Sequence, residues 1–239
     1  MIHLGHNIGM RSMHRRRRVA TILFVIIVAL VSFYSIKSEV TPPTDMPSTV
    51  NGEDYKNDNK QAIKDLETLD IKGRSPSTGY SRSQFGDGWT IEKGCDTRNI
   101  ILNRDLTDVK TDNSCHVTSG ILNDPYTGKV IEFVRGGDTS SDVQIDHVVA
   151  LSDAWQTGAQ LLSKESRKLL ANDPLELLAV DGQANQQKSG SNAASWLPPN
   201  KAFRCQYVAR QVAVKHRYGL WVTPAEFDVI KNILIGCTE

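Results

Sequence analysis

Ile145-Asp146-His147-Val148-Val149 is followed, after an insertion, by Asn172-Asp173-Pro174-Leu175-Glu176-Leu177-Leu178 and then by Asn185-Gln186-Gln187-Lys188-Ser189-Gly190. Residues 143–148 alternate and are β-branched, so they read as a strand that sends Asp146 and His147 to opposite sides of the chain. Residues 175–180 are a short apolar run that ends at Gly182, which reads as a buried second strand. A helix over about residues 185–196 is expected next, stopped by Pro198-Pro199. A carboxylate, an imidazole and two carboxamides thereby gather around a strand, a second strand and a helix start.

Upstream, Gly120-Ile121-Leu122 and Lys129-Val130-Ile131-Glu132-Phe133-Val134 flank Asn123-Asp124-Pro125-Tyr126-Thr127-Gly128. The middle stretch is a turn by composition, because Pro presets one dihedral and Gly tolerates positive φ. A hairpin leading into the strand of Asp146 is expected. Ile100-Ile101-Leu102 reads as a buried strand or a short helix. Residues 152–158 and 163–171 have helical composition, the second opened by Ser163 as N-cap. Residues 202–218 space Phe203, Tyr207, Val208, Val212 and Val214 in a mostly helical pattern, with Arg204, Arg210, Lys215, His216 and Arg217 between them. Thr223-Pro224-Ala225-Glu226 is a capping-box start for a last helix. The expected class is α+β with little strand, and no internal repeat is evident.

At the N-terminal side, Arg15-Arg16-Arg17-Arg18 precedes an uncharged apolar run, residues 19–34, that ends just before Lys37. A positive flank followed by an apolar helix predicts export of the chain beyond it, the arginines staying cytoplasmic. The run is short for a full span and long for a signal-peptide core. With Phe33, Tyr34 and Lys37 placed like interfacial anchors, a retained membrane anchor is favoured over a cleaved signal that would leave the protein secreted. Residues 38–83, rich in Pro, Thr, Ser, Asn and Asp, read as a flexible linker with room for a short helix at 60–69. The expected division is therefore a basic stub and apolar segment (1–37), a linker (38–83) and one domain (84–239).

Cys95, Cys115, Cys205 and Cys237 are an even set in an exported domain, and none forms a Cys-x-x-Cys pair, so two disulfides are expected rather than a zinc site. Three pairings are open. Cys95 with Cys115 and Cys205 with Cys237 is preferred because it closes two local loops, each worth about 3 kcal/mol in a chain-entropy picture. The net charge is +1, and without Arg11 and Arg15 to Arg18 the remainder carries −4. A strong global field for nucleic acid is thereby excluded, and such a partner would need a local basic groove or a metal.

Cleaving a phosphodiester requires a positioned water, a base for its proton and charge stabilisation at the phosphate. His147 is suited to be the base near neutral pH. Asp146 and Asn185 offer hard oxygens to a divalent ion, leaving room for phosphate and water. Asn172 is suited to orient a loop or His147. Lys188, a near-turn beyond Asn185, is a candidate phosphate contact, as is Arg135 beside Gly136-Gly137. Arg204 and Arg210, in the basic helix, are candidates for the nucleic-acid surface.

The pattern resembles the HNH endonuclease superfamily, with Asp146-His147 on the first strand, Asn172 as the middle Asn and Asn185 as the last ligand. The span from residue 95 to about 218 is more specifically similar to secreted bacterial proteins with the GmrSD-type HNH domain. It shares Cys95-Asp96-Thr97-Arg98-Asn99, Arg104-Asp105-Leu106, Asp124-Pro125-Tyr126-Thr127-Gly128, Ala154-Trp155 and Trp196-Leu197-Pro198-Pro199 beside the three stretches above. The resemblance implies a ββα-metal (HNH, His-Me finger) core with flanking helices and an N-terminal hairpin. It also implies His147 as base and a divalent metal, Mg²⁺ first with Mn²⁺ or another divalent ion as alternatives, on Asp146 and Asn185. One departure is Gln186-Gln187, where an Arg often follows the Asn, which puts one phosphate contact in doubt. The expectation is an exported, membrane-tethered endonuclease acting on DNA in preference to RNA, with little sequence specificity. The competing expectation is a non-catalytic cell-surface module that binds nucleic acid or an envelope partner.

Overall fold

The computed structural model describes residues 52–136 and 138–238, with side chains from residue 59 onward apart from that of residue 138. The apolar run at 19–34 lies outside the described residues, and among those described no helix is long and apolar enough to cross a membrane.

In chain order the helices are α1 (Gly52–Thr68), α2 (Thr97–Asp105), α3 (Leu151–Gln156), α4 (Lys164–Asn172), α5 (Gly182–Lys188), α6 (Arg204–Tyr218) and α7 (Pro224–Gly236). The strands are β1 (Ile91–Glu92), β2 (Cys95–Asp96), β3 (Leu106–Thr111), β4 (Val117–Asn123), β5 (Val130–Val134), β6 (Val143–His147) and β7 (Leu177–Asp181). They form three small antiparallel sheets, β1-β2, β3-β4-β5 and β6-β7. The class is mixed α and β with little strand, as expected, and residues 97–105 choose helix, with Asp96 accepting from the Asn99 amide as N-cap.

The β6-β7 pair lies between two hydrophobic clusters. Val143, Ile145, Leu177 and Ala179 pack with Ile101, Leu122 and Phe133 beneath α2 and the three-stranded sheet. Leu178 and Val180 pack instead with Tyr207, Val208 and Leu234 of the helical side. A strand buried on both faces reads as an unbroken apolar run, which is why residues 177–180 show no alternation.

Two of the expected boundaries move. Inside the stretch expected to be a linker, α1 buries Ala62 and Leu66 in the helical cluster against α6 and α7. Apolar residues at 62, 63, 66 and 69 recur at helical spacing, so the segment has a face to bury despite its polar composition. The helix expected over 185–196 is α5 and stops at Lys188, because Ser189 takes φ +48 and breaks the hydrogen-bond ladder.

The two disulfides are Cys95–Cys115, tying β2 to the β3-β4 connection, and Cys205–Cys237, joining the start of α6 to the end of α7. The capping box at Thr223 and Glu226 forms as expected. Glu226 also joins Asp153 around Lys215 Nζ at 2.8 and 3.2 Å, a fully buried cluster that Arg74 completes by pairing with Asp153 at 2.8 Å. Burial by itself would lower the Lys215 pKa, but the two carboxylates outweigh it and hold the ammonium protonated.

Candidate active site

The site is built on β6, β7 and α5. His147 pairs with Leu177 and Val143 with Asp181 in antiparallel register, so β7 runs back and delivers α5 beside the start of β6. Asp181 caps α5 by accepting from the Ala184 amide at 2.7 Å. Gly182 is required where it stands, since a Cβ there would lie 2.1 Å from the Ser141 carbonyl oxygen. The turn after β4 closes over the same junction, because Asp124 accepts from the Thr127 amide at 2.7 Å and from the Asp181 amide at 2.9 Å.

His147 is 6% exposed, and its Nε2 lies 3.0 Å from the carbonyl oxygen of Ala171. A carbonyl can only accept, so Nε2 carries the proton and Nδ1 is left as a lone-pair acceptor. Trp89 stacks on the ring with an interplanar angle of 9° and fixes its plane. Burial pushes the His147 pKa down from 6.5 to about 3; the Ala171 carbonyl opposes this, and the cations Arg82 and Lys188 reinforce it. The imidazole is therefore neutral at pH 7, the form a general base needs.

Period-two geometry turns Asp146 the other way. Its carboxylate accepts from the phenol of Tyr126 and from Lys188 Nζ at 3.0 Å, while Lys188 also donates to the His147 carbonyl at 2.7 Å. Tyr126 is buried, which with the nearby Asp146 charge raises its pKa well above the usual value, so it stays a donor. Asn185 gives its amide N–H to Gln144 at 2.9 Å, and its Oδ1 has no donor among the described residues.

Asp146, His147 and Asn185 line one cleft of about 300 Å³, together with Tyr80, Arg82 and Ser152. A second, about 370 Å³, reaches His147 from the Trp89 side and is lined also by Arg82, Phe85, Asp87 and Asn172. Hard oxygens for a cation come from Asp146 and Asn185. Among the described residues no group of three or more His, Cys, Asp or Glu side chains is placed to hold a metal by itself.

Asn172 belongs to the last turn of α4, not to the start of a strand. Its Oδ1 accepts from the Thr90 amide at 2.9 Å and from the Thr97 hydroxyl at 3.0 Å, so it ties α4 to the β1-β2 segment. His147 is oriented by the neighbouring Ala171 carbonyl instead. Lys188 is 0% exposed and serves as the counter-ion of Asp146, so it presents no ammonium to a phosphate. Arg135 donates to the Val117 carbonyl and Asn99, and Arg204 to the Pro198 carbonyl at 2.8 Å. Arg210 holds the carbonyls of Pro174, Leu175 and Leu177. In the same helix Lys215 is spent on buried carboxylates and Arg217 on the part-buried Asp173 at 2.8 Å. The basic helix is thus a set of internal clamps: carbonyls and carboxylates withdrawn from water need donors, and long cationic side chains supply them.

Four residues of the site escape a linear reading: Tyr126, Gln144, Trp89 and Arg82. Tyr126 stands in a stretch whose composition says only turn, and Trp89 and Arg82 lie more than 50 residues from His147.

The C-terminal domain of GmrSD restriction endonucleases matches this sequence over residues 94–231. An "uncharacterized secreted protein" of Arthroderma benhamiae is 34% identical over 216 residues, covering 90% of this chain and 98% of that protein. No solved structure matches. The matched span holds β6, β7, α5 and every residue of the Asp146-His147-Asn185 cleft wall except Tyr80 and Arg82, and on it the chain belongs to the family of the GmrSD restriction endonuclease C-terminal domain.

Proposed function

We propose that the protein is an exported, divalent-metal-dependent endonuclease that hydrolyses phosphodiester bonds of DNA with little sequence specificity, its β6-β7-α5 unit serving as a ββα-metal core. The observation that carries this reading is the free Nδ1 of a neutral, doubly braced His147 on the same cleft as Asp146 and Asn185. Family membership supports nuclease chemistry, and the secreted relative supports export.

His147 Nδ1 accepts the proton of a water whose oxygen forms a bond to phosphorus. The phosphorus–oxygen bond on the opposite side breaks, its electron pair stays on the leaving oxygen, and that oxygen takes a proton from solvent. The Ala171 carbonyl keeps Nε2–H in place as positive charge develops on the ring, and Trp89 keeps the ring from turning. A divalent ion fits the donor set: Asp146 brings a carboxylate to the cleft wall and Asn185 a carboxamide oxygen with no donor among the described residues. Bound there, such an ion would neutralise charge on the phosphate and the leaving oxygen. Tyr126 and Lys188 hold the Asp146 carboxylate in position for it.

The test uses the full chain, because truncation at residue 79 would remove α1 and the buried Leu66. Plasmid DNA and matched RNA are incubated with Mg²⁺, with Mn²⁺ and with chelator. Metal-dependent cleavage of DNA, lowered roughly 10²- to 10⁴-fold in His147→Ala, is the expected result. Undiminished cleavage by His147→Ala would remove the base, and binding without cleavage under every metal would favour the non-catalytic module. The closed Lys188–Asp146 pair is the one feature that suits that second reading.

A further inference from the structure

Two clefts meet at His147, and among the described residues the single cationic side chain that lines both is Arg82. It opens the 3₁₀ turn Arg82–Phe85, twelve residues before the span that matches the family. Nine arginines carry described side chains. Arg74 and Arg217 are spent on carboxylates, and Arg98, Arg104, Arg135, Arg167, Arg204 and Arg210 on carbonyls or side-chain oxygens. Arg82 alone among them has no hydrogen-bond or ion-pair partner, and it is exposed. A free guanidinium at the junction of two clefts faces no competitor there, since Lys188 is enclosed against Asp146.

The turn that carries Arg82 is held rigidly. Phe85 is buried and packs edge-on to Tyr80 and Trp155, while Arg167 donates to the Gln84 carbonyl at 2.9 Å and to its side-chain oxygen at 3.2 Å. The backbone under Arg82 is therefore organised before any ligand arrives. The sequence of α5 meanwhile has Gln186-Gln187, both exposed and uncharged, beyond Asn185. The cleft thus lacks a cation from α5, and Arg82 supplies one.

We propose that Arg82 is a catalytic residue of this cleft, its guanidinium binding the non-bridging oxygens of the phosphate attacked by the water that His147 deprotonates. The inference rests on the nuclease reading above and deepens it. As the new oxygen–phosphorus bond forms and the opposite one breaks, negative charge gathers on those two oxygens. A planar five-donor fork meets both at once, which an ammonium does not.

The experiment compares the wild-type full chain with Arg82→Ala and Arg82→Lys in two readouts. Plasmid cleavage at saturating DNA with Mg²⁺ or Mn²⁺ gives the rate. Binding of a short fluorescent oligonucleotide in chelator, followed across a salt series, gives the number of phosphate contacts. Arg82→Ala is expected to lower the rate about 10²-fold or more and to reduce the slope of log K against log salt by about one. Arg82→Lys should restore the slope but only part of the rate. Cleavage by Arg82→Ala within a few-fold of wild type, or an unchanged salt slope, overturns the proposal. A wild type that cuts neither DNA nor RNA, with the slope still lost in Arg82→Ala, removes the nuclease reading and leaves the phosphate contact standing. Arg82 is exposed, so an unchanged thermal midpoint of Arg82→Ala checks that the fold is intact.

Discussion

Asp146 and Lys188 are 42 residues apart and form a pair that water hardly reaches, 7% and 0% exposed at the side chain. Removing one partner of such a pair leaves the other buried and uncompensated, which costs more than the pair contributes. Lys188→Met is expected to lose about 3–5 kcal/mol of stability in chelator at pH 7, read from urea midpoints. If Asp146 ligates a divalent ion, millimolar Mg²⁺ should return part of that loss in Lys188→Met and change wild type little. No Mg²⁺ effect on the variant would count against Asp146 as a ligand. His147 and Asp146 were legible in the sequence because they are adjacent on one strand. The Lys188 partnership was not, since it depends on where α5 is set down.

Arginines and lysines separate by element rather than by residue type. Those on α6 look like a nucleic-acid face when spacing alone is considered, but the helix packs its long side chains onto the carbonyl-rich turn 174–177 and onto the acids Asp153 and Asp173. Arg104 reaches the same turn from α2, with Nη1 2.7 Å from the Pro174 carbonyl. Arg210→Ala therefore should lower stability by about 1–3 kcal/mol, since the Leu175 carbonyl loses its donor while those of Pro174 and Leu177 keep Arg104, and should leave the salt slope of oligonucleotide binding at its wild-type value. A drop of about one in that slope would return Arg210 to the nucleic-acid surface. The hairpin β4-β5 and the caps at Ser163 and Thr223 were readable from local chemistry alone. The end of α5 was not, because nothing local in Gln187-Lys188-Ser189 announces the +48° φ that stops it.

On the scale of the whole molecule, one buried acid makes stability depend on pH. Glu176 is fully buried, with Oε2 accepting from the Val149 amide at 3.2 Å and Oε1 without a partner among the described residues. Burial raises its pKa well above 4.5, more than the Val149 hydrogen bond and the Lys188 charge lower it. A carboxyl raised by folding contributes stability that is full below its unfolded pKa and is lost as pH rises toward its folded one. Within that window the loss is about 1.4 kcal/mol per pH unit. Glu176→Gln should therefore match wild type near pH 4.5 and exceed it at pH 8, by urea unfolding at both; equal stabilities at pH 8 would show that Glu176 ionises freely in the fold. Alternation in β6, the apolar run of β7, the capping residues and the even set of cysteines belong to the sequence itself, since each is read without knowing what folding brings together. Which cations stay free for a ligand was decided by tertiary structure alone. A side chain's availability depends on what folding places beside it, and eight of nine described arginines met a carbonyl, a carboxylate or a side-chain oxygen while Arg82 met none.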